Sequence, residues 1–198
     1  MDDLQTVLAH IRRLLEAGLT ANGHGFRLPI MASVDREGKP SARALILRHV
    51  DFEAREVRLH TDSRTRKVEE IGAYPYVMLV FNDQVANVQV QLKGCASLHQ
   101  DDVYAEDAWT GASRSSRRAY LTEAGPGSSI KYPASGLPAD VAAIVPDEAR
   151  LRQGRHHFTA IRIRFDEIEW LLLDGSENRR AAFRFEADSG WVGNWCVP

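Results

Sequence analysis

The sequence predicts a mainly β fold, an antiparallel barrel with helices packed outside it. Strand-like runs with two-residue periodicity recur along the chain, short turns built from glycine and proline join them, and helical patterns only punctuate the series. Runs of strands joined by turns favour meander or Greek-key sheets over parallel ones, which need long crossovers.

The elements follow in order. Residues 3 to 18 place Leu4, Val7, Leu8, Ile11, Leu14 and Leu15 on one stripe, and Gly18 follows as a stop, so this is an amphipathic helix covering a sheet. After the loop ANGHG, PIMASVD and SARALILRHVD read as two strands of a hairpin around the turn REGKP. DFEARE turns the chain into VRLHTD, where Val57, Leu59 and Thr61 alternate with polar neighbours as in a half-buried strand. TRKVEEIGAYP is a short helix ended by glycine and proline, and YVMLVF and NVQVQLKGCASL are two further strands. Residues 101 to 121 read as helices and 122 to 146 as a long irregular loop, a length that in compact domains is usually functional or disordered. HFTAIRIRFDEIEWLLLD, AAFRFE and WVGNWCVP close the set. The expected organisation is one domain over 1–198, with a helical and loop insertion at about 101–155.

At 198 residues a single domain buries about two thirds of its unfolded surface without metals or disulfides. Cys95 and Cys196 lie far apart and lack paired metal or redox spacing, which predicts reduced thiols and a cytoplasmic setting. The opening MDDLQTVLAHIRRLLEAG puts acidic residues first and interrupts every apolar stretch with charge, so neither a secretory signal nor a membrane span is expected. A net charge of −2, from 25 basic and 27 acidic residues, supplies no global field for nucleic acid, so any anion site must be local.

Local basic clusters occur at Arg43 with Arg48, Arg64 to Lys67, Arg114 to Arg118, and Arg179 with Arg180; the default reading of each is a solvated face. Arg43 and Arg48 are five residues apart, which puts them on opposite strand faces unless a bulge or twist intervenes. HTDSRTRK differs in character: it joins a strand to a helix and places Thr65, Arg66 and Lys67 in the first helical turn. Free backbone N–H groups, the positive dipole end, a hydroxyl and two cations together make a phosphate cradle. Helix N-termini prefer Asp and Glu, so consecutive basic residues there argue for a bound anion.

The stretch SVDREGKPSARALILRHVDFEAREVRLHTDSRTRKVEEIGAYPYVMLVF resembles the core of the pyridoxamine 5′-phosphate oxidase family, FMN-binding split β-barrels. Arg43 and Arg48 stand at the ends of RALILR, where that family has an R-x-x-x-x-K/R segment. His60, Thr61 and Asp62 stand for its Tyr-Thr-Asn-like triplet, and Thr65, Arg66 and Lys67 for its Ser/Thr-Arg-Lys helix start. NVQVQLKGCASL, the Gln89 strand, is similar to the family's Gln-Val-x-Val-x-Gly-x-Ala pattern, and EIEWLLLDG with a closing W…P resembles its C-terminus. The resemblance implies FMN held between two subunits of a homodimer, its phosphate bound by Arg43, Thr65, Arg66 and Lys67, with His60 and Thr61 along the ring or ribityl chain. Gln89 and Trp170 would approach the same flavin from the partner. Otherwise Gln89 is an outward strand residue and Trp170 an apolar filler. The implied activity is flavin-dependent oxidation or reduction of a small molecule, the cofactor carrying the redox step.

The resemblance weakens over 101–155 and at the substrate-handling residues. The oxidase proper has Arg-x-His-x-Arg after the tryptophan, whereas GSENRRAAFRF offers only Arg179 and Arg180, with no histidine. Arg114, Arg117, Arg118 and Tyr120 are candidates for its middle-helix phosphate residues. Little turnover of pyridoxamine 5′-phosphate is therefore expected. Two alternatives are a non-catalytic flavin-binding or storage module and a haem-degrading split barrel using His156 and His157. Adjacent strand histidines would point to opposite faces and could not share one metal.

Overall fold

The computed structural model describes residues 3–175 and 177–198. Met1 and Asp2 of the opening segment and Ser176 of GSENRR lie outside the described residues. The first helix, α1 (Leu4–Thr20), buries Val7, Leu8, Ile11 and Leu15, the stripe expected from the sequence. It does not stop at Gly18. A Cβ there would lie 2.8 Å from the carbonyl carbon and oxygen of Phe26, so this glycine lets the following 3-10 turn, Gly25–Arg27, pack against the helix. Asp3 caps the start by accepting from the Thr6 N–H, and the end comes at Ala21.

Nine strands form one antiparallel sheet among the described residues: β1 (Ile30–Val34), β2 (Pro40–Ala44), β3 (Leu47–Asp51), β4 (Glu56–Asp62), β5 (Tyr76–Asp83), β6 (Val88–His99), β7 (Phe158–Leu172), β8 (Arg179–Glu186) and β9 (Gly190–Cys196). Their order is β2-β1-β5-β6-β7-β4-β3, with β8 and β9 continuing beside the second half of β7. Strand β7 pairs with β4 from Phe158 to Arg164 and with β8 from Glu167 to Leu172, so its two halves serve different walls.

The expected strand SARALILRHVD is interrupted. Its first part is β2 and its last part is β3, which sit at opposite ends of the strand order. Only Leu45 and Ile46 join them, and so short a link reaches roughly 10 Å, so the two edges must approach one another. The sheet is therefore rolled into a barrel that is left unclosed between β2 and β3. Inside lies a core including Met31, Leu47, Val57, Leu59, Leu79, Phe81, Val90, Leu92, Ile161, Ile163, Phe165 and Trp170. The β6 register shifts between Lys93 and Gly94, and a Cβ on Gly94 would sit 2.1 Å from the Arg164 carbonyl oxygen, so only glycine allows β7 this close.

Helix α2 (Arg66–Ala73) packs on β1 and β6. The segment between β6 and β7 contains α3 (Val103–Thr110), α4 (Arg114–Arg118), α5 (Ala139–Ala142) and α6 (Glu148–Arg152). Trp109, Tyr120, Phe158 and Ala160 form a second, smaller cluster that fixes α3 to the outer side of β7. No helix among the described residues is long and apolar enough to cross a membrane.

Candidate functional site

The N-terminus of α2 gathers three of the four residues expected to hold a phosphate, Arg43, Thr65 and Lys67, together with Thr61. Thr65 is its N-cap, and its hydroxyl donates to the Asp62 carbonyl at 2.7 Å. The Thr61 hydroxyl lies 3.2 Å from that of Thr65 and accepts from Lys67 Nζ at 3.1 Å. Burial holds the Lys67 ammonium below its ordinary pKa, and the Arg43 charge adds to this. Arg43 faces the same mouth from β2, opposite Met31. Its guanidinium donates to Glu70 at 2.7 Å and to the hydroxyls of Ser33 and Ser41. Burial tends to raise Glu70, but hydrogen bonds from Ser33 and Arg43 outweigh it and keep the carboxylate ionised. Arg66, by contrast, is exposed and makes no hydrogen bond or ion pair among the described residues.

Three residues of this machinery carry no motif signal: Ser33, Ser41 and Glu70. The serines are found by strand alternation, since Ser33 and Ser41 face each other across the β1–β2 register two residues from Arg43. Asp62 and Arg64 also act together. Arg64 reaches Asp62 through both Nε and Nη2 and donates to the carbonyls of Thr122 and Glu123, clipping the start of the long loop to the end of β4.

On the outer face of the sheet, Arg48 and His60 come together. The break at residues 45–46 and a register shift between Leu47 and His49 separate Arg48 from Arg43, so simple alternation does not relate them. Arg48 Nε and His60 Nε2 are buried and have no hydrogen-bond partner among the described residues. Burial, then the charges of Arg48 and Arg58, push His60 down to about 3, so the imidazole is neutral at ordinary pH. Its ring meets Phe158 edge-on at 4.8 Å.

Gln89 and Trp170 stand far from this cluster. Gln89 alternates with buried Val88 and Val90 and faces outward, opposite Leu171. Trp170 pairs with Val90 and is fully buried in the core, with an indole N–H that has no acceptor among the described residues. The strand thus turns the two side chains to opposite faces, although both border a cavity of about 90 Å³ with Gln91, Glu169, Leu171 and Arg180. Between Ala160, beside His60, and Leu171, beside Gln89, run roughly 35 Å of extended β7.

The middle-helix arginines are engaged by the protein itself: Arg117 is buried, whereas Arg114 stays exposed to solvent. Arg117 makes a two-pronged ion pair with Glu148 at 2.8 and 2.9 Å, Arg114 donates to the Pro146 carbonyl, and Arg118 donates to that of Ile144 at 2.9 Å. Arg114 and Arg118 tie the end of the 122–146 loop to α4, and Arg117 ties the start of α6 to it. Tyr120 packs against Trp109 and Phe158. Arg180 is paired with Glu169, which Lys93 also contacts, and Arg179 donates to Glu177. His156 and His157 belong to a 3-10 turn, Arg155–His157, rather than a strand, and their rings are 3.8 Å apart, so the argument from opposite faces does not apply to them.

Comparison with known proteins agrees with this architecture. The family model described as pyridoxamine 5′-phosphate oxidase matches residues 24–169. A pyridoxine/pyridoxamine 5′-phosphate oxidase of Myxococcus xanthus is 26% identical over 177 residues, covering 85% of this chain and 80% of the relative. Among solved structures, a pyridoxamine 5′-phosphate oxidase-related, FMN-binding protein of Nostoc punctiforme superposes with a TM-score of 0.73 at 20% identity, covering 96% of each chain. PhzG of Burkholderia lata, solved with tetrahydrophenazine-1-carboxylic acid, superposes with a TM-score of 0.70 at 15% identity over 100% of this chain and 94% of its own. With an unclosed antiparallel barrel, the motif series from Arg43 to Lys67 and a family match across most of its length, the chain belongs to the pyridoxamine 5′-phosphate oxidase family of split β-barrels.

Proposed function

We propose that this chain binds FMN and acts as a flavin-dependent oxidoreductase on a small molecule other than pyridoxamine 5′-phosphate. The observation that carries the reading is the charge balance at the start of α2. Among the described residues Lys67 hydrogen-bonds only to a hydroxyl, while Asp62 is engaged by Arg64 and Glu70 by Arg43 and Ser33. The mouth thus holds a half-buried ammonium with no dedicated counter-charge, beside a helix N-terminus whose N–H groups suit an anion. A flavin phosphate fits that need, with Thr61, Thr65 and Lys67 as direct ligands and Arg43, fixed by Glu70, as a second cation.

The bound flavin would accept or donate hydride; the chain's own contribution is placement and electrostatics. Neutral His60 can exchange a hydrogen bond but adds no charge beside the ring, and Arg48 supplies a fixed positive charge next to it. Gln89 lies too far along β7 to share a ligand with His60 of its own subunit, which supports a homodimer in which the Gln89 wall of one copy completes the site of the other.

Absorbance of the purified protein, with release of the chromophore on denaturation, tests the cofactor. A yellow preparation releasing FMN, or a colourless one reconstituted by it, is expected. A protein that takes up no FMN would overturn the reading.

A further inference from the structure

We propose that Ser97, His99 and Asp102 form a hydrolytic site at the end of β6, with Ser97 the nucleophile toward small, activated carboxylic esters. The family pattern on this strand ends at Ala96, so none of the three is one of its matched positions, and the site does not depend on the flavin reading. The Ser97 hydroxyl lies 2.9 Å from His99 Nε2, and His99 Nδ1 lies 2.6 Å from Asp102 Oδ2. This is the hydroxyl–imidazole–carboxylate chain of a serine hydrolase, with each ring nitrogen on the partner that the mechanism requires.

Local structure builds the chain of contacts. Ser97 and His99 are two residues apart on β6 and so share a face. The strand ends at His99, and Asp102 caps α3, its Oδ1 accepting from the Ala105 N–H at 2.8 Å while Oδ2 turns back to the imidazole. The Ala105 N–H, and then His99, hold the Asp102 carboxyl below its ordinary pKa, so it is a carboxylate. A carboxylate only accepts, so His99 Nδ1 must carry a hydrogen; in the neutral ring Nε2 is then bare, and Ser97 donates to it. The ring also lies against Tyr104, centroids 4.5 Å apart, and the Tyr104 hydroxyl donates to Glu56 at 2.6 Å. The imidazole is thus set in tautomer and orientation before any substrate arrives.

Across the β6–β7 ladder Ser97 is opposite Arg162, which puts that arginine on the same face, with Cβ atoms of such a pair about 5 Å apart. Arg162 donates to Glu56 through Nε, and its terminal nitrogens make no hydrogen bond among the described residues. Its charge suits the oxyanion that forms when Ser97 adds to a carbonyl. In that step Ser97 Oγ bonds to the acyl carbon while its proton passes to His99 Nε2. The bond to the leaving oxygen then breaks, and His99 returns the proton to it. Water adds to the acyl-serine with His99 again as base, releasing the acid and restoring the hydroxyl. Ser97 is exposed and Asp102 borders an open hollow of about 780 Å³, so no deep acyl pocket selects the substrate. One half-exposed cation stabilises an oxyanion less than a buried pair of N–H groups does, which restricts the site to good leaving groups: aryl esters of short acids.

The test is hydrolysis of 4-nitrophenyl acetate by the purified full chain, with peptide mass spectrometry after treatment with phenylmethylsulfonyl fluoride. Saturable hydrolysis is expected, lost in step with the appearance of a sulfonyl adduct on Ser97. The adduct is read on the parent and so does not depend on any variant folding. Ser97→Ala and His99→Gln should each lower kcat/KM by ~100-fold or more. Asp102→Asn still caps α3 but no longer fixes the tautomer, so it should lower kcat by ~100-fold with KM unchanged, a split that loss of the cap alone would not produce. His156→Gln, on the wall of the same hollow, should leave both constants within about twofold and so excludes attack by a bystander histidine. Absence of saturable hydrolysis, an adduct only elsewhere, or Ser97→Ala as active as the parent would overturn the site. Activity lost in His99→Gln but kept in Ser97→Ala would also overturn it, because the imidazole would then attack the ester directly.

Discussion

Arg43 Nη2 lies 2.7 Å from Glu70 Oε2, so the strand arginine that opens the family motif has its charge balanced from α2. Lys67, one helical turn from Glu70, makes no ion pair among the described residues, and Glu70 and Asp62 act on its charge only from a distance. Lys67→Met should therefore weaken FMN binding by roughly 10- to 100-fold, the worth of one charge-assisted phosphate contact, while Arg152→Met should leave it within about twofold. Flavin fluorescence during titration of each apoprotein measures this. Equal affinities would remove Lys67 from the phosphate site.

Glu70→Gln tests the other half of that pair. Losing the carboxylate leaves the Arg43 guanidinium half-buried and held only by Ser33 and Ser41. The unpaired charge should destabilise the apoprotein by about 1–3 kcal/mol, and FMN should recover much of it by supplying a new counter-charge. Thermal unfolding with and without FMN reads the difference; a variant that gains no more from FMN than the parent would show that Arg43 faces away from the ligand.

His60 links the outer face to pH. Its folded pKa, pushed to about 3 from an ordinary 6.5, is a depressed one. As pH falls through 6.5 the unfolded chain takes up a proton that the folded chain refuses until near 3, so stability is full above 6.5 and declines across that window. The slope is about 1.4 kcal/mol per pH unit, so going from 6.5 to 4.5 costs ~2.5 kcal/mol. Urea unfolding at pH 7 and 4.5 should show His60→Gln losing less than the parent by about that amount. Identical losses would mean that water reaches the imidazole.

The strand alternation, the α1 stripe and the HTDSRTRK junction were legible because each is a local pattern: period two, period 3.6, or a cap. What escaped depends on contacts distant in sequence. No local signal divides SARALILRHVD between two barrel edges, because its composition is strand-like throughout and the break at Leu45–Ile46 is imposed by barrel closure. Gly18 reads as a helix stop until Phe26 is seen against it. The arginines of α4 look solvent-facing until Glu148 and the carbonyls of 144 and 146 fold back on them.

Two glycines separate close approach from simple helix propensity. Gly18→Ala puts a methyl 2.8 Å from the Phe26 backbone and should cost ~1–3 kcal/mol through strain. Gly72→Ala, in α2, meets nothing within 4 Å and should stabilise by ~0.5–1 kcal/mol. Chemical denaturation should give shifts of opposite sign. Two shifts of the same sign would contradict the packing of α1 on the Gly25–Arg27 turn.

The oxidase proper orients its substrate with an Arg-x-His-x-Arg set after the tryptophan, and this chain has no such set: Arg180 is paired with Glu169, Arg179 donates to Glu177, and Ala181 is buried. Nor do Arg114, Arg117 and Arg118 replace the missing groups, since Arg114 and Arg118 hold the loop and Arg117 holds Glu148 of α6. Misplacing a reacting centre by even about an ångström costs ~100-fold in rate, so pyridoxamine 5′-phosphate and pyridoxine 5′-phosphate should reduce the bound FMN slowly or not at all. Anaerobic bleaching of the flavin, followed by reoxidation in air, measures this for each compound and for a reduced nicotinamide. Bleaching by pyridoxamine 5′-phosphate within the ordinary range of about 1 to 1000 per second would show that the lost residues are dispensable. Slow bleaching by it, with fast bleaching by another small anion, would assign the chain a different substrate on the same flavin scaffold.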